Sequence, residues 1–302
     1  MDHKRFIASL PPAARTRLCQ RKDLPGLLRA TVHFGLILGF GLYISAGAPW
    51  WGLVVPVQGI LIVFTFTLLH ETVHDTPFAQ LWLNRLFGSL AAGLLALPPL
   101  WFRYFHLAHH RFTNDPARDP ELAEPRPQSW GQYLRYLSGL PVWASNFRQL
   151  VSNAGKGQLA AYVPAAQHSR IRREARVMLA FYAGLMAALF LGQAWIFWAW
   201  ILPALLGQPA LRLYLLAEHG HCPAVADMFE NTRTTYTARL IRLLAWNMPY
   251  HAEHHAMPNV PFHQLPNLNA LCAAHLKSTS SGYRAFHRDY QSRLRYSKRP
   301  LT

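Results

Sequence analysis

The chain has 302 residues, of which 51% are hydrophobic and 15% are charged, and its formal net charge is +16. The charged fraction lies well below the roughly 25% that is usual for soluble domains, so the composition argues against an ordinary soluble protein. The three cysteines lie far apart and form no C-x-x-C motif, which argues against a disulfide framework or an iron–sulfur centre. The positive charge is not gathered in a separate basic domain, so nucleic-acid binding is not expected.

Both ends of the chain are basic. Residues 1–29 hold seven Lys or Arg against two Asp, and they lack the continuous apolar segment of a cleaved signal peptide. Residues 277–302 form a basic tail with seven Lys or Arg against one Asp. Because positive residues favour the cytoplasmic side, both ends are predicted to be cytoplasmic and the number of membrane spans to be even. Such flanks also suit contact with anionic lipid.

A long uncharged stretch follows the basic lead-in. Residues 30–69 include no Asp, Glu, Lys or Arg, and a helix needs about 20 apolar residues to cross the bilayer core. The stretch therefore predicts a hairpin of two membrane-spanning helices that turns at Gly47, Pro49 and Gly52. A shorter apolar segment at residues 86–102 contains a Pro-Pro pair, so we interpret it as an interfacial or re-entrant segment.

The remainder of the chain alternates between polar and apolar stretches. Residues 112–130 are rich in Pro and Asp and cannot be helical throughout, whereas residues 131–176 are predicted to form cytoplasmic, partly amphipathic helices. Residues 177–211 are uncharged and, if extended to about Leu216, make room for a second hairpin. We therefore expect a single all-α integral membrane domain over residues 1–302, with about four transmembrane helices in two hairpins and a cytoplasmic helical cap.

Eight histidines form three clusters, and each cluster begins just beyond an apolar stretch. The clusters are H-E-T-V-H with His70 and His74, H-L-A-H-H with His106, His109 and His110, and H-A-E-H-H with His251, His254 and His255. Side chains at positions i, i+3 and i+4 project from the same face of a helix, so each cluster can direct its imidazoles at one point, as a metal ion requires. In the predicted topology all three clusters lie on the cytoplasmic side.

The number of histidines indicates which kind of metal site to expect. Imidazole binds zinc, copper, iron and nickel, so the histidines alone do not name the metal. Structural zinc sites usually recruit thiolate, and no clustered cysteine is available here. Eight histidines, with one more from His219 or His221, exceed the needs of one ion and suit two ions with four or five nitrogens each. We favour His219 as the ninth. Two metals close together are typical of redox chemistry with dioxygen or of metal-assisted hydrolysis.

Several acidic residues adjoin the histidine clusters. A carboxylate that accepts the far ring N–H of a ligand histidine holds the ring in one tautomer and orientation. The acidic candidates for a supporting role of this kind are Glu71, Asp115, Asp119, Glu218 and Glu253. His221, the second histidine of the 219/221 pair, is a further candidate. An ordinary solvated or capping role stays open for each of them.

The order of these motifs resembles the membrane fatty acid desaturase/hydroxylase superfamily. The match extends over about residues 30–290 and consists, in chain order, of H-x-x-x-H, H-x-x-H-H, two predicted spans and a second H-x-x-H-H. The third box, N-M-P-Y-H-A-E-H-H-A-M-P-N-V-P, is similar to the form in sphingolipid-type desaturases. The second box, H-L-A-H-H-R-F-T-N-D-P-A-R-D-P-E, is more similar to bacterial acyl desaturases and carotenoid hydroxylases.

The resemblance implies a four-helix transmembrane stalk under a cytoplasmic cap that holds two irons through histidine. It implies the following ligands: His70, His74, His106, His109, His110, His251, His254, His255 and, in L-A-E-H-G-H, His219. Asn247, four residues before His251, occupies a position from which a polar side chain or a bound water can complete a metal shell. No H-P-G-G motif occurs, so no fused cytochrome b5 domain is expected, and electrons would come from a separate ferredoxin or cytochrome b5 type partner.

The activity that the resemblance implies is oxidation by iron and dioxygen of an unactivated C–H bond in a long apolar substrate. Desaturation of a fatty acyl chain or acyl lipid is the preferred interpretation, and hydroxylation or ketolation of a lipid or carotenoid is the alternative. A membrane protein that binds metal or haem without being an enzyme stays open as well, although only His33 lies inside a predicted span. The expected location is an integral position in a bacterial inner membrane.

Overall fold

The computed structural model of the chain describes residues 1–295, so the predicted basic tail lies in part outside the described residues. The described part is mostly helical, and its strands are one pair of two-residue parallel strands, β1 (Thr234–Thr235) and β2 (Thr279–Ser280). The α-helices are α1 (His3–Ser9), α2 (Pro12–Leu18), α3 (Asp23–Ser45), α4 (Trp51–Thr72), α5 (Leu81–Leu95), α6 (Pro99–Phe112), α7 (Trp130–Leu137), α8 (Leu140–Ala154), α9 (His168–Phe190), α10 (Leu202–His219), α11 (Met228–Asn231), α12 (Arg239–Leu244), α13 (His251–Ala256), α14 (Leu265–Cys272) and α15 (Tyr283–Ser292). Three 3₁₀ turns occur at Pro120–Ala123, Ala165–Gln167 and Ala273–His275, and a π-helical turn at Phe197–Ile201 leads into α10.

Three helical segments of residues 1–295 are long and apolar enough to cross a membrane. They are Pro12–Ser45, Trp51–Thr72 and Phe197–His219, and a fourth span results if α5 and α6 together count as one. These two helices are bent by 95° at the break between them, where Pro98 directly precedes Pro99, the first residue of α6. The bend agrees with the re-entrant segment that the sequence predicts here, because proline cannot continue the preceding helix.

Helix α9 is the element that differs from the predicted second hairpin. The sequence places a membrane span there, but α9 is not among the helices that meet the length and composition of a span. Its first half carries four arginines and Glu174, so its uncharged part is confined to residues 177–190. That part is shorter than the roughly 20 residues that a bilayer core requires.

Helices α4 and α10 form the closest helix pair around the site. A Cβ atom built on Gly59 of α4 would lie 2.1 Å from the carbonyl oxygen of Pro203, and one on Gly207 of α10 would lie 2.2 Å from the carbonyl oxygen of Gly59. Glycine at both positions therefore lets the two backbones touch. The Nε2 atom of Gln58 also donates to the Ala199 carbonyl at 3.1 Å. This contact brings the C-terminal ends of α4 and α10, which carry histidines, to the same end of the molecule.

The segment after α10 folds over those helix ends. Strand β1 pairs with β2, and the Thr234 hydroxyl donates to Glu253 on α13 at 2.5 Å. Phe229, Trp246 and Phe262 are buried in the same hydrophobic cluster as residues of α3 and α4. The segment that carries α13 and the third histidine cluster is therefore packed onto the membrane-spanning helices, and α13 itself contacts α4 through His254 and Glu71 and α10 through His251 and Glu218.

Candidate metal centre

The nine histidines are delivered by the ends of four helices. His70 lies in the last turn of α4, His219 is the last residue of α10, and the second and third clusters lie on α6 and α13. Eight of the nine are buried and His110 is half-buried. The close crossing of α4 and α10 and the packing of α13 onto both therefore bring all nine histidines together.

One group of ligand atoms is formed by His70, His106, His110 and His254. One ring nitrogen from each lies within 4.8 Å of the corresponding nitrogen of every other member. The Nε2 atom of His110 lies 2.9 Å from that of His106 and 3.2 Å from that of His254. His74 adjoins this group, because its ring centroid is 4.7 Å from that of His110 and 4.8 Å from that of His254. We call these five histidines group one.

The other group is formed by His109, His219 and His255, whose ligand atoms also lie within 4.8 Å of one another. The Nε2 atoms of His109 and His219 are 3.2 Å apart. His251 adjoins them, since its Nε2 atom lies 3.2 Å from that of His219 and 3.1 Å from that of His255. We call these four histidines group two. The rings of His110 and His255 stack at 4.0 Å and 6° between the two groups.

The unpaired nitrogens fit metal ions. Two nitrogens bound to one ion at the ordinary bond length of about 2.0–2.1 Å lie about 3.0–3.4 Å apart, which is close to the separations within both groups. Both ring nitrogens of His70 and the Nε2 atom of His74 are buried without a hydrogen-bond partner. Buried polar atoms are normally hydrogen-bonded, so a concentration of unpaired nitrogens at one point indicates an ion.

Burial also sets the charge of the histidines that lie outside the membrane-spanning helices. Burial lowers the pKa of His74 to about 3, and it lowers the pKa values of His251, His254 and His255 well below their usual range. The imidazole rings are therefore neutral at pH 7. A neutral ring keeps the lone pair with which it binds a metal.

Three of the predicted carboxylates lie against the far ring nitrogen of a histidine. Asp119, whose side chain is buried, contacts Nδ1 of His109 at 2.9 Å and 3.1 Å. Glu218 lies 3.5 Å from Nδ1 of His251, and Glu71 lies 3.6 Å from Nδ1 of His254. Asp119 therefore holds the ring of His109 so that Nε2 faces the centre, whereas Glu218 and Glu71 face Nδ1 of their histidines at ion-pair distance without a hydrogen bond.

Asp115 and His221 are not brought to the histidines. Asp115 binds the Arg118 guanidinium and accepts the backbone N–H of Ala117 in the exposed loop after α6. His221 has a φ of 57° and stacks on Tyr290 at 4.3 Å, so it points away from His219 after the helix has ended.

Asn247 and Glu253 have other partners as well. The side-chain amide of Asn247 donates to the Phe262 carbonyl at 2.9 Å. Glu253 accepts from the Thr234 hydroxyl and from the Asn269 amide, and burial raises its pKa. These contacts anchor α13 to its neighbours and do not involve a clustered histidine.

Two uncharged residues that the sequence analysis did not select do contact the histidines. The Thr113 hydroxyl lies 3.1 Å from Nδ1 of His255, and the carbonyl of Asn231 lies 3.3 Å from Nδ1 of His219. The Asn231 amide in turn donates to the Thr113 carbonyl at 3.3 Å. Thr113 follows the second box directly and was open to prediction from its position, whereas Asn231 arrives from a separate helix and carries no such signal.

Comparisons with known proteins show which family the chain belongs to. The family described as fatty acid desaturase matches residues 20–287 of the chain. The chain is 26% identical over 226 residues to the sphingolipid delta(4)-desaturase DES1 of Gallus gallus, which covers 72% of this chain and 64% of that protein. It is 26% identical over 241 residues to a Caenorhabditis elegans protein named for sphingolipid delta(4)-desaturase and C4-monooxygenase activity, which covers 74% and 60%. It is 32% identical over 114 residues to the sn-1 oleoyl-lipid 12-desaturase of Picosynechococcus sp., which covers 34% and 33%.

The chain therefore spans less than two thirds of the length of these relatives. The family match, in contrast, extends over most of the length of this chain. Because this match covers residues 20–287, the chain belongs to the fatty acid desaturase family.

Proposed function

We propose that this protein is an O₂-dependent oxidoreductase that inserts a double bond into a fatty acyl chain or an acyl lipid at a centre of two iron ions. The observation that carries the proposal is the separation of nine clustered histidines, eight of them buried, into two adjoining groups whose Nε2 atoms face one another. Family membership supplies the substrate class and the redox chemistry. When bound, iron and dioxygen supply the oxidation of an unactivated C–H bond, which side chains cannot perform at neutral pH.

Each iron would be held by one of the two groups. Group one would provide up to five nitrogens and group two up to four, which is the number that the histidine count predicts. Asp119, Glu71 and Glu218 would hold His109, His254 and His251 in the orientation that directs Nε2 to the metal. The burial of these groups keeps water and its protons away from the centre.

Hydroxylation is the second candidate. Both reactions begin with the removal of a hydrogen atom from the substrate, and they differ in the second step, which removes another hydrogen in desaturation and transfers oxygen in hydroxylation. The activity in the name of the Caenorhabditis elegans relative includes a C4-monooxygenase, which favours keeping this alternative. Ketolation of a lipid or carotenoid belongs to the same group of oxidations. A membrane protein that binds metal or haem without catalysis is the non-enzymatic alternative.

The first experiment is the metal content of the chain purified in detergent, with an absorption spectrum. We expect about two irons per chain and no haem band, since two separate groups of histidines are available. The reduced protein is then given dioxygen, an electron donor and membrane lipids, and the products are analysed by mass spectrometry. Alkene products support desaturation and alcohols support hydroxylation. A single zinc, a haem spectrum or turnover without oxygen would contradict the proposal.

Electrons would reach the centre from a separate ferredoxin or cytochrome b5 type protein. The net charge of +16 would attract acidic donors of this kind, and the attraction should weaken as salt is added. We further propose that both ends and the histidines face the cytoplasm, as the basic flanks predict. Proteolysis of the C-terminal tail from the opposite side of sealed vesicles would contradict this topology. Residence in a bacterial inner membrane stays a prediction, since the relatives include animal as well as cyanobacterial proteins.

A further inference from the structure

A surface groove is lined by three arginines. Arg29 of α3 and the two arginines of α12, Arg239 and Arg242, share it with Leu240 and Leu243. Asn247 and Pro266 complete its lining. None of these arginines forms an ion pair within 4 Å in the described part of the chain. Arg29 is attracted by the buried carboxylate of Glu71 at a longer distance, whereas Arg239 and Arg242 present their charge to the groove without an ion-pair partner in the described part of the chain.

Two of the guanidinium groups are held in place. Arg29 lies over the ring of Phe262 at 4.7 Å and near that of Trp246 at 5.9 Å, and its Nη1 atom donates to the Arg242 carbonyl at 3.4 Å. The guanidinium of Arg242 donates to the Tyr250 hydroxyl at 2.5 Å. A positioned guanidinium loses less conformational entropy when it binds an anion, and its planar donors suit phosphate oxygens.

The groove lies at the level where the membrane begins. Arg29 is the last charged residue before the uncharged stretch of residues 30–69, so it marks the boundary between the apolar core and the headgroups. Arg242 touches Arg29, and therefore α12 lies at the same level. On that helix Leu240 is 74% exposed and Leu243 is 46% exposed. Exposed leucines beside arginines at this depth match the two parts of a phospholipid, its acyl chains and its phosphate.

We propose that this groove is a binding site for an anionic membrane phospholipid. Its phosphate contacts the guanidinium groups of Arg29, Arg239 and Arg242, and its acyl chains cover Leu240 and Leu243. None of the nine clustered histidines lines the groove, and the proposed lipid binding does not depend on the proposed oxidation. A glycerol headgroup without a positive charge is preferred to choline, because a quaternary amine would face the unpaired arginines.

The test is native mass spectrometry of the full chain in detergent with added phosphatidylglycerol or phosphatidylcholine. The wild type is expected to retain phosphatidylglycerol preferentially. The double variant R239Q/R242Q is expected to bind phosphatidylglycerol about 30-fold more weakly, since each arginine near a membrane surface contributes about a factor of five. R239K/R242K keeps both charges, so it should retain the preference for the anionic lipid.

A matched control removes two arginines that the protein already neutralises. R5Q/R118Q lowers the net charge by the same amount, but Arg5 is paired with Asp2 and Arg118 with Asp115. This variant should bind phosphatidylglycerol as the wild type does. Equal retention of both lipids by the wild type, or equal weakening by the control and by R239Q/R242Q, would overturn the proposal. Metal content is a separate measurement and is expected to be unchanged in all four proteins.

Discussion

The replacement of Asp119 by asparagine tests how the carboxylate supports the metal centre. The Oδ1 atom of Asp119 accepts from Nδ1 of His109 at 2.9 Å and from the backbone N–H of Glu121 at 3.0 Å. The Oδ2 atom accepts from the backbone N–H of Asn114 at 2.8 Å. Asparagine has the same shape, but one of its two side-chain polar atoms is a donor. In Asp119→Asn one buried N–H therefore faces another donor and loses its acceptor.

Two magnitudes follow from this geometry. An unsatisfied buried donor costs about 1–3 kcal/mol, so the variant is expected to unfold at a lower temperature. His109 also loses a charged partner for Nδ1, and the loss of a carboxylate behind a ligand histidine typically weakens metal binding or activity about 10- to 100-fold. Asp115→Asn is the matched control, because Asp115 lies in the same loop but contacts Arg118 at the surface.

The assay is the retention of iron during titration with a chelator, together with thermal unfolding of the metal-loaded and metal-free forms. Asp119→Asn should release iron at a lower chelator concentration, whereas Asp115→Asn should behave as the wild type. If both variants release iron alike, or if Asp119→Asn retains it fully, the carboxylate does not act through His109.

Three further predictions follow from individual contacts. His219→Ala should reduce the iron content from about two to about one per chain, because group two loses the nitrogen that lies next to those of His109 and His251. His221→Ala is the control and should leave the iron content unchanged. Equal iron content in both variants would exclude His219 as a ligand. Gly59→Ala should lower the unfolding temperature, since overpacking against α10 costs about 1–3 kcal/mol. Gly52→Ala is the control, because its added Cβ meets no atom within 4 Å and should leave the unfolding temperature unchanged. Equal unfolding temperatures of the two variants would contradict the backbone contact of α4 with α10. Burial raises the pKa of Glu174 to about 7 from 4.5, so the folded state holds a proton that the unfolded state has released, and stability falls as the pH rises from 4.5 to about 7. Glu174→Gln should remove this part of the pH dependence of the unfolding temperature. The same pH dependence in the variant and the wild type would contradict the raised pKa of Glu174.

Local patterns in the sequence predict much of the fold. The uncharged stretch of residues 30–69 predicts two long apolar helices, and α3 and α4 occupy it with a turn at Gly47, whose φ is 61°. The Pro-Pro pair before α6 predicts a break, and the chain bends there by 95°. Such features depend on residues that are neighbours in sequence. The prediction for α9 differs from the structure because its arginines shorten the apolar part, which reaches only from residue 177 to 190.

The sequence also predicts which histidines meet, since their spacing places each cluster on a short stretch of helix. The division into two groups does not follow the clusters, because helical spacing separates the members of one cluster, and only the tertiary structure decides which members of the other clusters each of them meets. His106 and His110 belong to group one and His109 to group two, while the third cluster sends His254 to group one and His251 with His255 to group two. Residues four apart on a helix differ by about 40° in direction, whereas adjacent residues differ by about 100°. Adjacent histidines therefore face different groups, and the partners they meet there are set by the contact of α4 with α10 and by the packing of α13 on both.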